Sequence, residues 1–265
     1  MTIAADWNPD LYTRFEDERT RPARDLLARC RLAPAPARPR ILDLGCGPGN
    51  STELLAERFP DADILGIDTS EAMLRAARER LPQCRFERGD IASLSGDGLF
   101  DLVYANASLQ WVLGHDALIP RLLRLVAPNG LFAAQIPDNL ADPSQTEMRR
   151  IAAEPSFAET LAEQAEGREL IGSSADYYDL LRPDAAEVDV WTTIYEHPME
   201  DAAAITRWFR STGLKPFVDP LPERERDRFL ERYTAAMERA YPARIDGRRL
   251  LAFRRLFMVA RRAQA

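Results

Sequence analysis

Asp43 stands two residues ahead of the first of three glycines, at 45, 47 and 49, between a short apolar run and a helix start: Arg40 to Thr52 reads Arg-Ile-Leu-Asp-Leu-Gly-Cys-Gly-Pro-Gly-Asn-Ser-Thr. Glycines there allow positive φ and let a ligand lie against the backbone, and Asn50, Ser51 or Thr52 is expected to cap the helix behind them. The dinucleotide fingerprint G-x-G-x-x-G sets a pyrophosphate on a helix N-terminus. Here the spacing is G-x-G-x-G, and a carboxylate beside the loop serves an anion poorly. It suits a ligand that has an ammonium group and no phosphate. S-adenosylmethionine, which also carries a sulfonium, meets both conditions and would make the loop a methyl-donor site.

Three further positions fit that ligand. Ile64-Leu65-Gly66-Ile67-Asp68 is a buried-type strand ending in an acid nineteen residues after Gly49, where a carboxylate can accept two hydrogen bonds from ribose hydroxyls. Arg88-Gly89-Asp90-Ile91 closes another strand; Asp90 can accept from an adenine amino group while Ile91 packs on the ring, or Asp90 can close an Asx-turn instead. Phe100 to Asn106 is a fourth strand, whose C-terminal end should open on the crevice where open α/β sheets bind ligands, putting Asn106 and Gln110 at the reaction centre. With Thr69, Met73 and Ala107 beside them, the expected cofactor-binding set is Asp43, Gly45, Gly47, Asp68, Thr69, Met73, Asp90, Ile91, Asn106 and Ala107.

These side chains need a frame, and strand and helix alternate at the spacing of βαβ units. Strands are expected near 40–45, 63–68, 84–88, 100–105 and 130–136, with helices over 52–59, 70–81 and 115–127 where apolar residues recur at helical intervals. Such alternation implies a parallel sheet with right-handed crossovers. An Arg-rich helix and a stiff linker holding Pro34, Pro36 and Pro39 come first. Residues 1–136 read as the N-terminal helix and cofactor-binding core. From 137 to 185 the pattern weakens into Pro, Ser and acidic residues and reads as an insertion or lid. Residues 186–265 return to the sheet, with strands at 187–199 and 255–261 and helical stretches at 201–210 and up to about 240, the whole making one domain.

Composition removes several classes. Thirty-five basic against 42 acidic residues leave a net charge of −7, which offers no field for a phosphate backbone, so no nucleic-acid partner is expected. The three cysteines lack C-x-x-C spacing, which indicates neither a disulfide framework nor a zinc site. No run of eighteen apolar residues and no apolar leader core is present, so a cytoplasmic protein with no membrane contact is the expectation. No obligate protein partner is evident.

Asp43, the three glycines, Asp68 and Gly89-Asp90-Ile91 at these intervals resemble the class I S-adenosylmethionine-dependent methyltransferases. The resemblance implies a Rossmann-like, mostly parallel seven-stranded sheet with an antiparallel last strand, helices on both faces and a helical lid. Asp6-Trp7-Asn8-Pro9, Ala105-Asn106-Ala107-Ser108-Leu109-Gln110-Trp111, Gln135-x-Pro137-Asp138-Asn139, Tyr177-Tyr178-Asp179, Thr212-Gly213-Leu214 and Arg255-Leu256-Phe257 narrow it to the branch of that family that esterifies the small tricarboxylate trans-aconitate. A carboxylate is ionised at pH 7, so its methylation needs no general base, and His115 and His197 are expected to be structural. A trianion on an acidic protein needs a local cation cluster. Arg19, Arg21, Lys215, Arg254 and Arg255 are available, with Trp7, Tyr12, Trp111, Tyr177 and Tyr178 as aromatic neighbours; the resemblance favours Arg21, Tyr178 and Arg255, with Gln110, for orienting the acceptor. A malonyl-carrier-protein methyltransferase and a non-catalytic S-adenosylmethionine-binding protein are the alternatives.

Overall fold

The computed structural model describes residues 16–32, 36–166, 170–210 and 212–264. Seven strands, β1 (Arg40–Leu44), β2 (Asp63–Asp68), β3 (Arg85–Arg88), β4 (Phe100–Asn106), β5 (Val126–Pro137), β6 (Ala185–Met199) and β7 (Arg249–Arg262), form one sheet in the order β3-β2-β1-β4-β5-β7-β6. Strands β1 to β5 pair in parallel, and β7 runs antiparallel to β5. The expected architecture is therefore the observed one. The chain order reverses at β1, whose neighbours are β2 and β4, and there the C-terminal strand ends open a crevice.

Alternation within each central strand sends its residues to two covered faces. Leu42, Leu44, Val103, Ala105, Phe132, Ala134 and Ile136 join Leu118, Ile119, Leu122 and Leu123 of α4 (His115–Arg124) and Tyr177 and Leu181 of α7 (Ser174–Leu181) in one buried cluster. The intervening residues face the other way, where α1 (Glu16–Arg29) packs on β5 and on α2 (Asn50–Arg58). Tyr104 marks that second face: its hydroxyl donates to the Ala23 carbonyl of α1 over 2.7 Å. Asp43 is in register with Tyr104, and Gln135 with Asn106. So Asp43, Asn106 and Gln135 share the α1 face of the sheet.

Several boundaries moved: the last strand begins at Arg249 rather than 255, and the helix after the glycine loop begins at Asn50 rather than 52. The helix expected over 115–127 ends at Arg124, because the Leu125 carbonyl turns to accept from the Leu99 and Phe100 amides. Strand β5 starts at Val126 rather than 130: Val126 pairs with Phe100, then Asn129 at φ 64° makes a kink before Leu131 resumes opposite Leu102.

Two compact units are distinguishable. One holds the described residues up to Pro137, Ile171–Thr193 and the chain from Arg255; the other holds Asp138–Leu170 and Ile194–Arg254. In the second, α5 (Pro143–Ala152) and α8 (Ala202–Arg210) pack on α10 (Glu223–Ala240). The Tyr233 and Tyr241 hydroxyls bracket Ser144 there, one donating to its carbonyl and one accepting from its amide. Among the described residues no helix is long and apolar enough to cross a membrane.

Candidate active site

The glycine loop closes against the end of β2. The Gly45 and Cys46 amides both donate to the Ile67 carbonyl, at 2.8 and 2.9 Å, and the Gly47 amide donates to Asp68 Oδ2 at 3.0 Å. Gly45, Gly47 and Gly49 all have positive φ. Their surroundings differ: a methyl group on Gly45 would lie 2.4 Å from Ser108 Cβ, whereas one on Gly47 meets nothing within 4 Å. Gly45 is thus a packing glycine, and Gly47 is the one that borders open space.

The expected cap is not there. Gly49 is the N-cap of α2, without a side-chain hydrogen bond. Ser51 and Thr52 instead donate their hydroxyls to Asp43 Oδ2, at 2.8 and 2.7 Å. Ser51 and Thr52 lie past the N-cap, and their hydroxyl protons offset the desolvation of the buried carboxylate. Asp43 is fully buried, and Oδ1 has no partner. Burial pushes its pKa up to about 6, against the two hydroxyl bonds, with the Asp68 charge adding to the rise.

That shift has a consequence for the ligand-free protein. The folded pKa lies above the unfolded one, so the native state binds the proton more tightly, and stability falls as pH rises from about 4 to 6. The full penalty above that window is about 3 kcal/mol. Asp43→Asn should therefore melt higher than the ligand-free wild type at pH 7.5, and the gap should narrow to about a third at pH 4.5. A gap independent of pH in thermal melts would mean that Asp43 is ionised throughout.

Asp68 accepts from two backbone amides, Gly47 at Oδ2 and Ser70 at Oδ1, the latter at 2.9 Å. Burial raises its pKa and those backbone bonds lower it. Thr69 is exposed beside it, and Met73 is buried on α3 (Glu71–Arg80), whose N-cap Ser70 accepts from the Met73 amide. Asp90 is exposed and closes an Asx-turn, Oδ1 accepting from the Ala92 amide at 2.9 Å; Ile91 is in the core under Gly45.

At the end of β4, Ala107 holds φ 54°, a left-handed conformation costly for alanine. Three bonds fix this turn. The Ala107 amide donates to the Gln135 carbonyl, Gln110 Nε2 donates to the Ala107 carbonyl at 2.6 Å, and Ser108 Oγ donates to the Leu44 carbonyl. His115 supports it from beneath. Its Nε2 faces the Leu109 carbonyl at 3.0 Å and so carries the proton, which leaves Nδ1 to accept from the Tyr177 hydroxyl at 2.5 Å. Both ring nitrogens are engaged, as a structural histidine requires. Asn106 Oδ1 and Gln110 Oε1 are buried acceptors without partners.

The arginines separate. Arg255 of β7 is 4% exposed and donates from Nη1 to Gln135 Oε1 at 2.8 Å. Arg21 is exposed on α1, two residues before the Ala23 that anchors Tyr104. Tyr178 is 43% exposed on α7, whereas its neighbour Tyr177 is buried. Trp7, Tyr12 and the Arg19 side chain lie outside the described residues. Sequence reasoning missed Ser51, Thr52, Ser108 and Gln135 as parts of the site. The first two left a signal as hydroxyls eight and nine residues after a strand acid, and the other two only as members of the motifs that carry the resemblance.

A cavity of about 250 Å³, lined by residues that include Arg31, Pro39, Arg58 and Asp61, lies at the opposite, N-terminal ends of β1 and β2. It is not where this sheet type takes its ligand. Among the described residues no group of three or more His, Cys, Asp or Glu side chains could hold a metal ion. The cysteines are free thiols.

Residues 41–130 match a family described as a methyltransferase domain. Over 97% of this chain and 99% of its own length, the trans-aconitate 2-methyltransferase of Paracidovorax citrulli (strain AAC00-1) is 58% identical. The chain belongs to the trans-aconitate 2-methyltransferase family. Family members from Methylobacterium radiotolerans, 56% identical over 98% of this chain and 99% of theirs, and from Yersinia pseudotuberculosis serotype O:1b, 52% identical over 96% and 98%, agree. Among solved structures, the YcgJ protein from Bacillus subtilis superposes with a TM-score of 0.57 at 13% identity, covering 95% of this chain and 99% of that one. Phosphoethanolamine N-methyltransferase 2 of Haemonchus contortus, in complex with S-adenosyl-L-methionine, gives 0.54 at 17%, covering 92% and 53%. At these identities the two structures establish the fold alone.

Proposed function

We infer that this chain is an S-adenosylmethionine-dependent carboxyl O-methyltransferase that forms the monomethyl ester of trans-aconitate, as the names of its relatives suggest. The observation that carries this is a row of side chains with buried polar atoms on one face of adjacent strands, near the C-terminal ends of β1, β4 and β5 and, on antiparallel β7, opposite Pro137. Asp43 on β1 and Asn106 on β4 present unpartnered acceptors, and Arg255 on β7 presents a cation. Asp43 is level with Ala133 of β5 through Tyr104, whereas Arg255 pairs with Pro137, four residues further along; three strand spacings of about 4.8 Å and that offset of about 13 Å put Asp43 and Arg255 about 20 Å apart. A cationic ligand suits the first end and an anionic one the second.

Asp43 and Asn106 fit the ammonium of the donor, and Gly45, Gly47 and Ala107 lay backbone beside it. Asp68 retains lone pairs for ribose hydroxyls, with Thr69 and Met73 alongside; Asp90 and Ile91 take the adenine. When bound, S-adenosylmethionine supplies an electrophilic methyl on a sulfonium. Arg255 and Arg21, with Tyr178, orient the acceptor, and Gln110, whose Nε2 is spent on the Ala107 carbonyl, holds the turn beside it. An ionised carboxylate is already a nucleophile, so no residue has to remove a proton, consistent with His115 being fully engaged. Holding that oxygen in line with the methyl is worth about 7–11 kcal/mol. The same reading places the enzyme in the cytoplasm, acting on a small acid without a nucleic-acid, membrane or obligate protein partner.

Mass-spectrometric detection of methyl transfer to trans-aconitate, cis-aconitate, citrate, isocitrate and a malonyl thioester, run in parallel, tests the assignment. One methyl gained, with trans-aconitate preferred, is the expected outcome. A preferred thioester, or no product despite tight donor binding, would overturn it. For the donor side, Asp68→Ala is expected to weaken S-adenosylmethionine about 10–100-fold by calorimetry through loss of charge-assisted bonds. Unchanged affinity would remove Asp68 from the site.

A further inference from the structure

We propose that Gln135 is a specificity contact for the acceptor acid: its carboxamide nitrogen donates to one acceptor carboxylate, while Arg255 fixes the amide in the orientation that makes this possible. The inference rests on the acceptor being a polycarboxylate, as set out above.

Gln135 interrupts the apolar run of β5 between Ala134 and Ile136 and is 0% exposed. A carboxamide buried so completely is costly unless both of its ends are paired. Its Oε1 is paired, accepting from Arg255 Nη1 at 2.8 Å. A guanidinium carries only donors, so the atom turned toward it has to be the oxygen, and the usual ambiguity between amide O and N is resolved. The nitrogen is therefore committed to pointing elsewhere. Nε2 is a buried donor with no partner.

Its complement is an acceptor, which excludes an ammonium and selects a carboxylate oxygen. In register beside it on β4, Asn106 offers the reverse, an unpartnered oxygen that takes only donors. The sign of the site thus changes between two neighbouring side chains. Toward β1 the row takes hydrogen-bond donors and positive charge; from Gln135 to Arg255 it takes acceptors and negative charge. A simpler arrangement has Nε2 and Asn106 Oδ1 bonding to each other in solution. In that case Gln135 is structural, and its loss would not discriminate between the two ligands.

Gln135→Glu and the near-isosteric Gln135→Met separate these. In the full-length chain, the KM and kcat for trans-aconitate would be compared with the calorimetric Kd for S-adenosylmethionine. Glutamate neutralises Arg255 and repels a carboxylate, so KM should rise about 30–100-fold; methionine removes the donor, together with the Oε1 that accepts from Arg255, without adding a charge, and about 10-fold is expected. In both variants kcat and the donor Kd should stay within about threefold, the Kd also reporting that the chain is folded. The trans-aconitate monoamide should lose less than the triacid in Gln135→Glu. A KM unchanged in both variants, or KM and donor Kd rising in parallel, would overturn the assignment. Wild-type enzyme that methylates none of the acids is a different result, which removes the polycarboxylate reading itself and this inference with it.

Discussion

Gly45→Ala is expected to yield a chain that folds poorly or melts more than about 10 °C below the wild type. The added methyl would sit 2.4 Å from Ser108 Cβ and 3.2 Å from its Oγ, on a backbone at φ 69°. Left-handed alanine costs about 1–2 kcal/mol, overpacking about 1–3, and displacing Ser108 from the Leu44 carbonyl about 1–3 more. Their sum is a large part of an ordinary domain's stability. Gly47→Ala makes the complementary case. At φ 54° with no atom within 4 Å of the new methyl, it should lose only about 1–2 kcal/mol of stability but bind S-adenosylmethionine much more weakly, because the methyl enters the space assigned to the ligand. Thermal melts and calorimetry on the pair decide it. Equal stability losses would mean that Ser108 yields, and unchanged donor affinity in Gly47→Ala would move the ligand off the loop.

Arg255→Ala should raise the KM for trans-aconitate by about 100-fold or more while leaving the donor Kd within about threefold. A charge-assisted contact in a desolvated site is worth about 2–5 kcal/mol, and Arg255 is 4% exposed. Arg255→Lys should recover little, since an ammonium does not reproduce the planar guanidinium whose Nη1 engages Gln135. Arg21→Ala should change the same KM by no more than about fivefold, because an exposed cation is screened. Initial-rate kinetics alongside calorimetry read all three. Equal loss of acid and donor affinity in Arg255→Ala would sink its role as an acceptor ligand.

Much of the frame was legible because its signals are local. The glycine loop, the strand ending at Asp68 and the apolar spacing of α4 are written in consecutive residues, and all stand where expected. Boundaries shifted where a long-range bond competed with a local preference, as when the Leu125 carbonyl turned to the Leu99 and Phe100 amides and ended α4 early. Segment 137–185 was opaque because its apolar positions are sparse: α5 is as long as α4, at ten residues, but offers only Met148, Ile151 and Ala152, and α7 has only eight residues.

The chemistry divides along the same line. Residue type and spacing alone determined that an acid borders a glycine loop, that another acid ends the next strand, and that the donor lacks a phosphate. Tertiary structure decided what each acid does. It placed the Ser51 and Thr52 hydroxyls on Asp43, spent one Asp90 oxygen on its own turn, and set Arg255 apart from the exposed Arg21 by burying it against Gln135. The reason is physical. A glycine's freedom or a strand's alternation is a property of a few neighbouring residues, whereas the worth of a charge depends on how much water it has lost and which dipoles replaced it. Those dipoles come from chain segments 8 to 120 residues away.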